Sequence, residues 1–160
     1  MFACNGKSHA RTLESNERKK QMNIEKKIID EVKRFNEEQK KKVMLIDVES
    51  KAWNVDDTSD ENPPSGEGPN WDDYWKHWTK GVFEGAVCAC CGEPLTASNR
   101  VGAHVRLYGE NDNTKDAWIA LYCSSCNNWK VRKPRKVRKG SKIVRTTMAK
   151  PHKNATPDTK

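Results

Sequence analysis

Four cysteines fall as two C-x-x-C pairs, Cys88-Ala-Cys-Cys91 and Cys123-Ser-Ser-Cys126. Two thiolates spaced in this way grip one tetrahedral ion from a single tight turn, and two such pairs complete a closed zinc site. Cys88, Cys91, Cys123 and Cys126 are therefore the candidate metal ligands, and a structural Zn²⁺ is the expected cofactor. Cys90 lies inside the first pair, and spacing leaves an exchange with a neighbouring cysteine open. Gly92, just after the pair, permits the positive φ that turns backbone N–H groups toward the sulfurs. The crowding of Cys88, Cys90 and Cys91 suits a metal better than a disulfide framework.

The segment between the pairs reads as a hairpin. Val101, Ala103, Val105 and Leu107 alternate with Arg100, His104, Arg106 and Tyr108 on the opposite face. Gly109-Glu-Asn-Asp-Asn113 is turn chemistry, and Trp118-Ile-Ala-Leu-Tyr122 is the return strand. The second cysteine pair then opens a short helix that Pro134 limits to about two turns. Knuckle, hairpin, knuckle and helix together describe a treble clef, a small α+β zinc module.

These residues resemble the zinc-containing HNH endonuclease superfamily. Gly102-Ala-His-Val105 is similar to that family's first motif, and Cys123-Ser-Ser-Cys-Asn-Asn-Trp-Lys130 to its C-terminal signature. The likeness covers residues 83–131. It implies a ββα fold, with His104 as the general base that deprotonates a water and Asn127 as a ligand of a catalytic Mg²⁺ or Mn²⁺. Two family positions depart. The metal-binding Asp before the histidine is Ala103, whose methyl cannot hold Mg²⁺, and the middle Asn falls on Trp118. Glu110, Asp112 and Asp116 are substitute carboxylates in the hairpin turn. Without the missing ligands His104 and Asn127 have structural roles instead, one tying hairpin to helix and the other capping that helix.

Charge supplies the second functional signal. Residues 130–160 hold twelve Lys/Arg and one acid, while the net charge of the whole chain is only +8. A surplus so concentrated suits a polyanion, most simply DNA or RNA. Lys130, Arg132, Lys133, Arg135, Lys136, Arg138 and Lys139 are the expected phosphate contacts. Arg100, Arg106 and Tyr108, which share a face with His104, are expected nearer the bases or sugars.

The other segments position this module. Residues 1–14 are expected to be disordered. Residues 15–47 read as an amphipathic helix free of Gly and Pro, with Ser15 or Asn16 as N-cap and Ile24, Ile28, Val32 and Phe35 as an apolar stripe. That stripe, within residues 22–46, either docks on the zinc module or serves self-association or a protein partner. Val43, Met44, Leu45, Ile46 and Val48 are β-prone and able to leave the helix as a strand. Residues 54–70, with three prolines, two glycines, five acids and no base, read as an acidic linker that buries nothing. Trp71, Tyr74, Trp75 and Trp78 share one face of a short helix, as core of a Trp-rich HNH-like module at 71–131 or as a base-stacking platform. Residues 132–160 read as a disordered basic tail.

With 34% apolar and 32% charged residues, no packed core is expected over all 160 positions. No apolar run is long enough to span a membrane and no secretory signal opens the chain, so cytoplasm or nucleus is expected. The leading expectation is a zinc-stabilised HNH-like protein that binds nucleic acid and has a degenerate nuclease centre. An active HNH endonuclease and a non-enzymatic zinc-finger adaptor are the alternatives.

Overall fold

The computed structural model of the chain describes residues 6–128, 130 and 132–156, with side chains from residue 16 onward. The first five residues of the expected disordered terminus and the last four of the basic tail lie outside them. The chain divides into two compact units, one ending at Glu38 and one beginning at Gln39. Helix α1 runs Gly6–Lys42. The expected helix therefore begins earlier, because good helix formers continue upstream of Ser15 without a proline. It also ends earlier, because Val43–Leu45 leave it as strand β1. Met22, Ile24, Ile28, Ile29 and Val32 are exposed along α1. No helix among the described residues is long and apolar enough to cross a membrane.

The second unit is a mixed α+β domain built on one antiparallel sheet. Its strands are β1, β2 (Ser50–Asn54), β3 (Arg100–Leu107), β4 (Thr114–Cys123), β5 (Arg135–Val137) and β6 (Lys142–His152). Spatial order is β1-β6-β4-β3-β2-β5. Both ends of this order belong to one two-stranded ribbon. Val43 lies opposite Val144 and Ser50 opposite Val137 in the same register. Bonds from Ile46 N to Ser141 O (2.9 Å) and Gly140 N to Ile46 O (2.7 Å) bridge the gap between the two pairings. The sheet thus closes on itself, which leaves few strand edges open to other chains. Ile46, Ala52, Ala103, Val105, Leu121, Val137 and Ile143 belong to the core cluster.

Two expectations are corrected here. The basic run is no disordered tail between residues 132 and 156, because Val137, Ile143, Val144, Thr146 and Met148 are buried between its charges and seat β5 and β6 in the sheet. The acidic linker also buries residues: Asn54, Val55 and Glu61 are all inside. The Glu61 carboxylate accepts from Ala149 N (2.8 Å) and lies 2.8 Å from His152 Nε2. A buried carboxylate needs such partners, and β6 provides them.

The expected hairpin is present, with Arg100 opposite Cys123 and Val105 opposite Trp118. Helix α2 (Trp71–Thr79) packs on β3, β4 and β6. Asn70 caps it, its side chain accepting from Asp73 N at 2.9 Å. The aromatics are chiefly core: Tyr74 and Trp78 are buried, and Trp75 packs against the core cluster that holds Ile46, Leu121 and Ile143. Their polar tips are satisfied, for example Tyr74 OH to Arg145 O at 2.7 Å and Trp75 Nε1 to Lys142 O at 2.7 Å. Gly102 lets the helix approach, since a Cβ there would stand 2.3 Å from the Trp71 carbonyl carbon and 2.5 Å from Asp72 N. Backbone cannot yield as a side-chain tip can. Gly102→Ala is expected to cost about 3 kcal/mol, at the upper end of overpacking penalties, readable as a drop in urea midpoint with the m-value retained. An unchanged midpoint would mean that α2 can slide away freely.

Candidate functional site

The four predicted ligands converge. The sulfurs of Cys88, Cys91, Cys123 and Cys126 all lie within 4.8 Å of one another, and Cys91 and Cys123 are 3.8 Å apart. A tetrahedron with metal–sulfur bonds of about 2.3 Å has edges of about 3.8 Å, so this donor set fits a structural metal ion. Cys90 is buried beside the cluster and is not one of the four.

Backbone bonds build both knuckles. Cys88 N bonds Glu93 O (2.7 Å), and Gly92 N bonds Cys88 O (2.9 Å) with Gly92 at φ 84. Cys123 N and Cys90 N point at Cys88 Sγ from 3.2 and 3.4 Å. Burial opposes ionisation of the Cys88 thiol, but the backbone N–H groups of Cys91, Cys123 and Cys90 outweigh it and lower its pKa. Ala89 N bonds Leu121 O on β4, and Arg138 N bonds Ala89 O, so the first knuckle is stitched to two parts of the sheet. Asn54 donates to Cys126 O at 3.1 Å and holds the second knuckle. Nothing in the local sequence around Asn54 marks this role.

The helix expected after Cys126 is absent among the described residues. Residues 124–127 form a turn, closed by Cys126 N and Asn127 N on Cys123 O, both at 3.0 Å. The chain then passes toward β5, because Arg135–Val137 gain more by pairing with β2 than by extending a turn next to Pro134. Asn127 therefore caps no helix.

His104 and Asn127 nonetheless line one polar cavity of about 460 Å³, with Glu61, Asp72 and Arg100 also on its wall. The substitute carboxylates expected in the hairpin turn do not line it. Glu110 accepts from Trp118 Nε1 (2.8 Å), Asp112 accepts from Asn154 N, and Asp116 pairs with Arg145 (3.5 Å). His104 is 5% exposed, its ring edge-on to Trp71 at 4.5 Å, and its Nε2 meets no hydrogen-bond partner among the described residues.

Burial pushes the His104 imidazole down from 6.5 to about 4; Glu61 opposes this, and His152 and Arg106 add to it. Between those values the unfolded chain takes up a proton that the folded chain refuses. The stability that His104 contributes is complete above its unfolded pKa and is lost as pH falls toward the folded value. Wild type is expected to lose about 2 kcal/mol between pH 7 and pH 5 from this group. His104→Leu should flatten that window in urea unfolding. An equal slope in the variant would assign the loss to other groups.

The expected nucleic-acid contacts separate into two sets. Arg106 is 1% exposed and is a structural residue. It donates from Nε to Asp116 O (2.8 Å), from Nη1 to Asn154 Oδ1 (2.9 Å) and from Nη2 to Thr114 O (2.7 Å). Arg100 is also committed, paired with Asp72 at 2.7 Å and lying 3.5 Å over the Phe83 ring. The β3 face carrying them is covered, which strand alternation cannot reveal. Tyr108 is 69% exposed at the end of β3. Arg132 pairs with Asp56 (3.5 Å), Lys136 with Glu49 (3.3 Å), and Arg135 bonds Ser125 O (3.5 Å). Lys130, Lys133, Arg138 and Lys139 are exposed. Lys142, missed in the sequence, is exposed too and lines one concavity with Arg138 and Lys139.

The second unit is thus an antiparallel closed-sheet domain with a four-thiolate cluster and a basic β5–β6 segment that carries exposed lysines and arginines. Comparison with known proteins finds no matching family model, no matching curated protein and no matching solved structure.

Proposed function

We propose that the chain is a zinc-stabilised nucleic-acid-binding protein. Four thiolates suit Zn²⁺ and leave no open coordination position, so the ion's role is to hold the two knuckles together. Binding comes from phosphate contacts by the basic β5–β6 segment. The observation that carries this reading is the exposure of Lys133, Lys136, Arg138, Lys139 and Lys142 along one short rigid segment beside the metal cluster. Such contacts neutralise phosphates without reading bases, so sequence preference is weak and salt dependence strong. The test is affinity for DNA and RNA oligonucleotides across a salt series. Log affinity should fall linearly with log salt, by about 0.7–0.9 per phosphate contacted. A flat line, or no binding at low salt, would overturn the reading. Removing the basic segment is not a usable control, because β6 lies between β1 and β4.

A metal-dependent HNH endonuclease is the second reading. It is favoured by the shared cavity of His104 and Asn127, with Glu61 and Asp72 as its carboxylates in place of the hairpin acids. A depressed imidazole is neutral at pH 7 and available as a base, though a weak one. Plasmid nicking with Mg²⁺ or Mn²⁺ decides it, with His104→Gln as control. Cleavage unchanged in the variant would remove His104 from catalysis, and no cleavage by wild type would leave the binding function alone.

A further inference from the structure

A second concavity lies beside the first knuckle. It is a groove of about 440 Å³ between the loop following α2 and the turn joining β5 to β6. Its floor includes Trp75, Ala86, Ala89 and Leu121, and its rim carries Arg138, Lys139 and Lys142 against one acid, Glu84. No carboxylate among the described residues is within ion-pair distance of those three cations. We propose that this groove binds single-stranded nucleic acid, an unstacked base resting on the apolar floor and the flanking phosphates on Arg138, Lys139 and Lys142.

The cations are placed by backbone rather than left on a flexible tail. Arg138 N bonds Ala89 O (2.8 Å), Ser141 N bonds Arg138 O (3.1 Å), and Gly140 N bonds Ile46 O (2.7 Å), which fixes the turn at both ends. Gly140 takes φ 85, a conformation that favours glycine. The Arg138 guanidinium lies over Gly92, where a Cβ would stand 2.2 Å from Nη1, so the charge is seated against the metal knuckle. A groove of this volume suits one base and its sugar. In a duplex the base faces are stacked and cannot reach an apolar floor, whereas a single strand offers them. Charge complementarity favours a polyanion with flat apolar groups over a chain of acidic side chains, which would leave the floor uncovered.

This inference rests on the nucleic-acid reading and names the strand class and site within it. The test is fluorescence anisotropy of the full zinc-loaded chain with a deoxythymidine 12-mer, a duplex of the same length and a glutamate-rich peptide of matched charge. The single strand should bind about tenfold more tightly than the duplex, and R138A/K139A/K142A should lose about tenfold or more of that affinity. K51A/K115A/K153A removes three exposed charges elsewhere and should change it by less than about threefold. Thermal unfolding of both triple variants confirms that the fold persists. Equal losses in the two variants, or a duplex preferred to the strand, would overturn the groove assignment while leaving nucleic-acid binding standing. A peptide that binds as tightly as the oligonucleotide would overturn it in favour of an acidic protein partner. No binding of either nucleic acid would overturn the broader reading with it.

Discussion

Stripping the proposed zinc from the purified chain is expected to abolish most of the cooperative stability of the unit from Gln39 onward. The cluster ties the first knuckle, at Cys88 and Cys91, to the end of β4 at Cys123 and the turn at Cys126. Cys88, Cys123 and Cys126 are buried, and without an ion their sulfurs face one another with no partner of comparable strength. Structural zinc contributes about 10–16 kcal/mol of apparent binding free energy in isolated fingers. Part of that is retained here by the closed sheet, so a fall in melting temperature of about 20 °C or more is the expected readout. Cys123→Ser should reproduce the chelated state. Cys90→Ser should keep one zinc per chain, since Cys90 is not one of the four converging sulfurs. Metal analysis and thermal unfolding, with and without chelator, check both. A melting curve indifferent to chelation, or full zinc content in Cys123→Ser, would remove the metal from the account.

Arg106→Met carries the second largest expected effect. Three side-chain nitrogens of Arg106 bond Asp116 O, Asn154 Oδ1 and Thr114 O, and Asp112 lies 3.8 Å from Nη1. Methionine fills the volume but leaves these buried acceptors without a donor. Losing charged hydrogen bonds of this kind costs about 3–5 kcal/mol. Urea unfolding should show that loss, while nucleic-acid affinity of the folded fraction should stay within about twofold of wild type, because no phosphate contact is removed. A variant that folds as wild type but binds weakly would restore Arg106 to the interface. Arg100 is expected to behave in the same way with a smaller loss, because its partner Asp72 retains some solvent.

Chemistry encoded by short spacing was legible in the chain. The C-x-x-C pairs depend on one turn each, so their residues announce the site wherever the turns end up. The hairpin was legible because alternation and a Gly/Asn/Asp turn are local. The short aromatic helix was legible for the same reason: Trp71, Tyr74, Trp75 and Trp78 recur at helical spacing. The strand at Val43–Leu45 was visible as a β-prone run, but its partner was not, since Val144 lies a hundred residues away.

The basic segment is the instructive misreading. Its charges dominate composition, yet Val144, Thr146 and Met148 are buried between them, the period-two pattern of a strand with one covered face. That alternation was the available signal. Glu61 offered none, because its burial depends on Ala149, Lys150 and His152 reaching it from the far end of the chain. Arg106 reads as polar-face exposure in a two-stranded hairpin, and only the segments around Thr114 and Asn154 close over it.

By itself the sequence determined the two cysteine pairs of the candidate metal cluster, the hairpin between the knuckles and the concentration of positive charge, all of which follow from residue type and near-neighbour spacing. Tertiary structure alone decided that the charge sits on strands paired in the sheet, that Arg100 and Arg106 are committed to the fold, and that Lys142 joins Arg138 and Lys139 at one groove. The reason is that long-range pairing depends on the net free energy of closing the whole sheet, which no window of neighbouring residues contains.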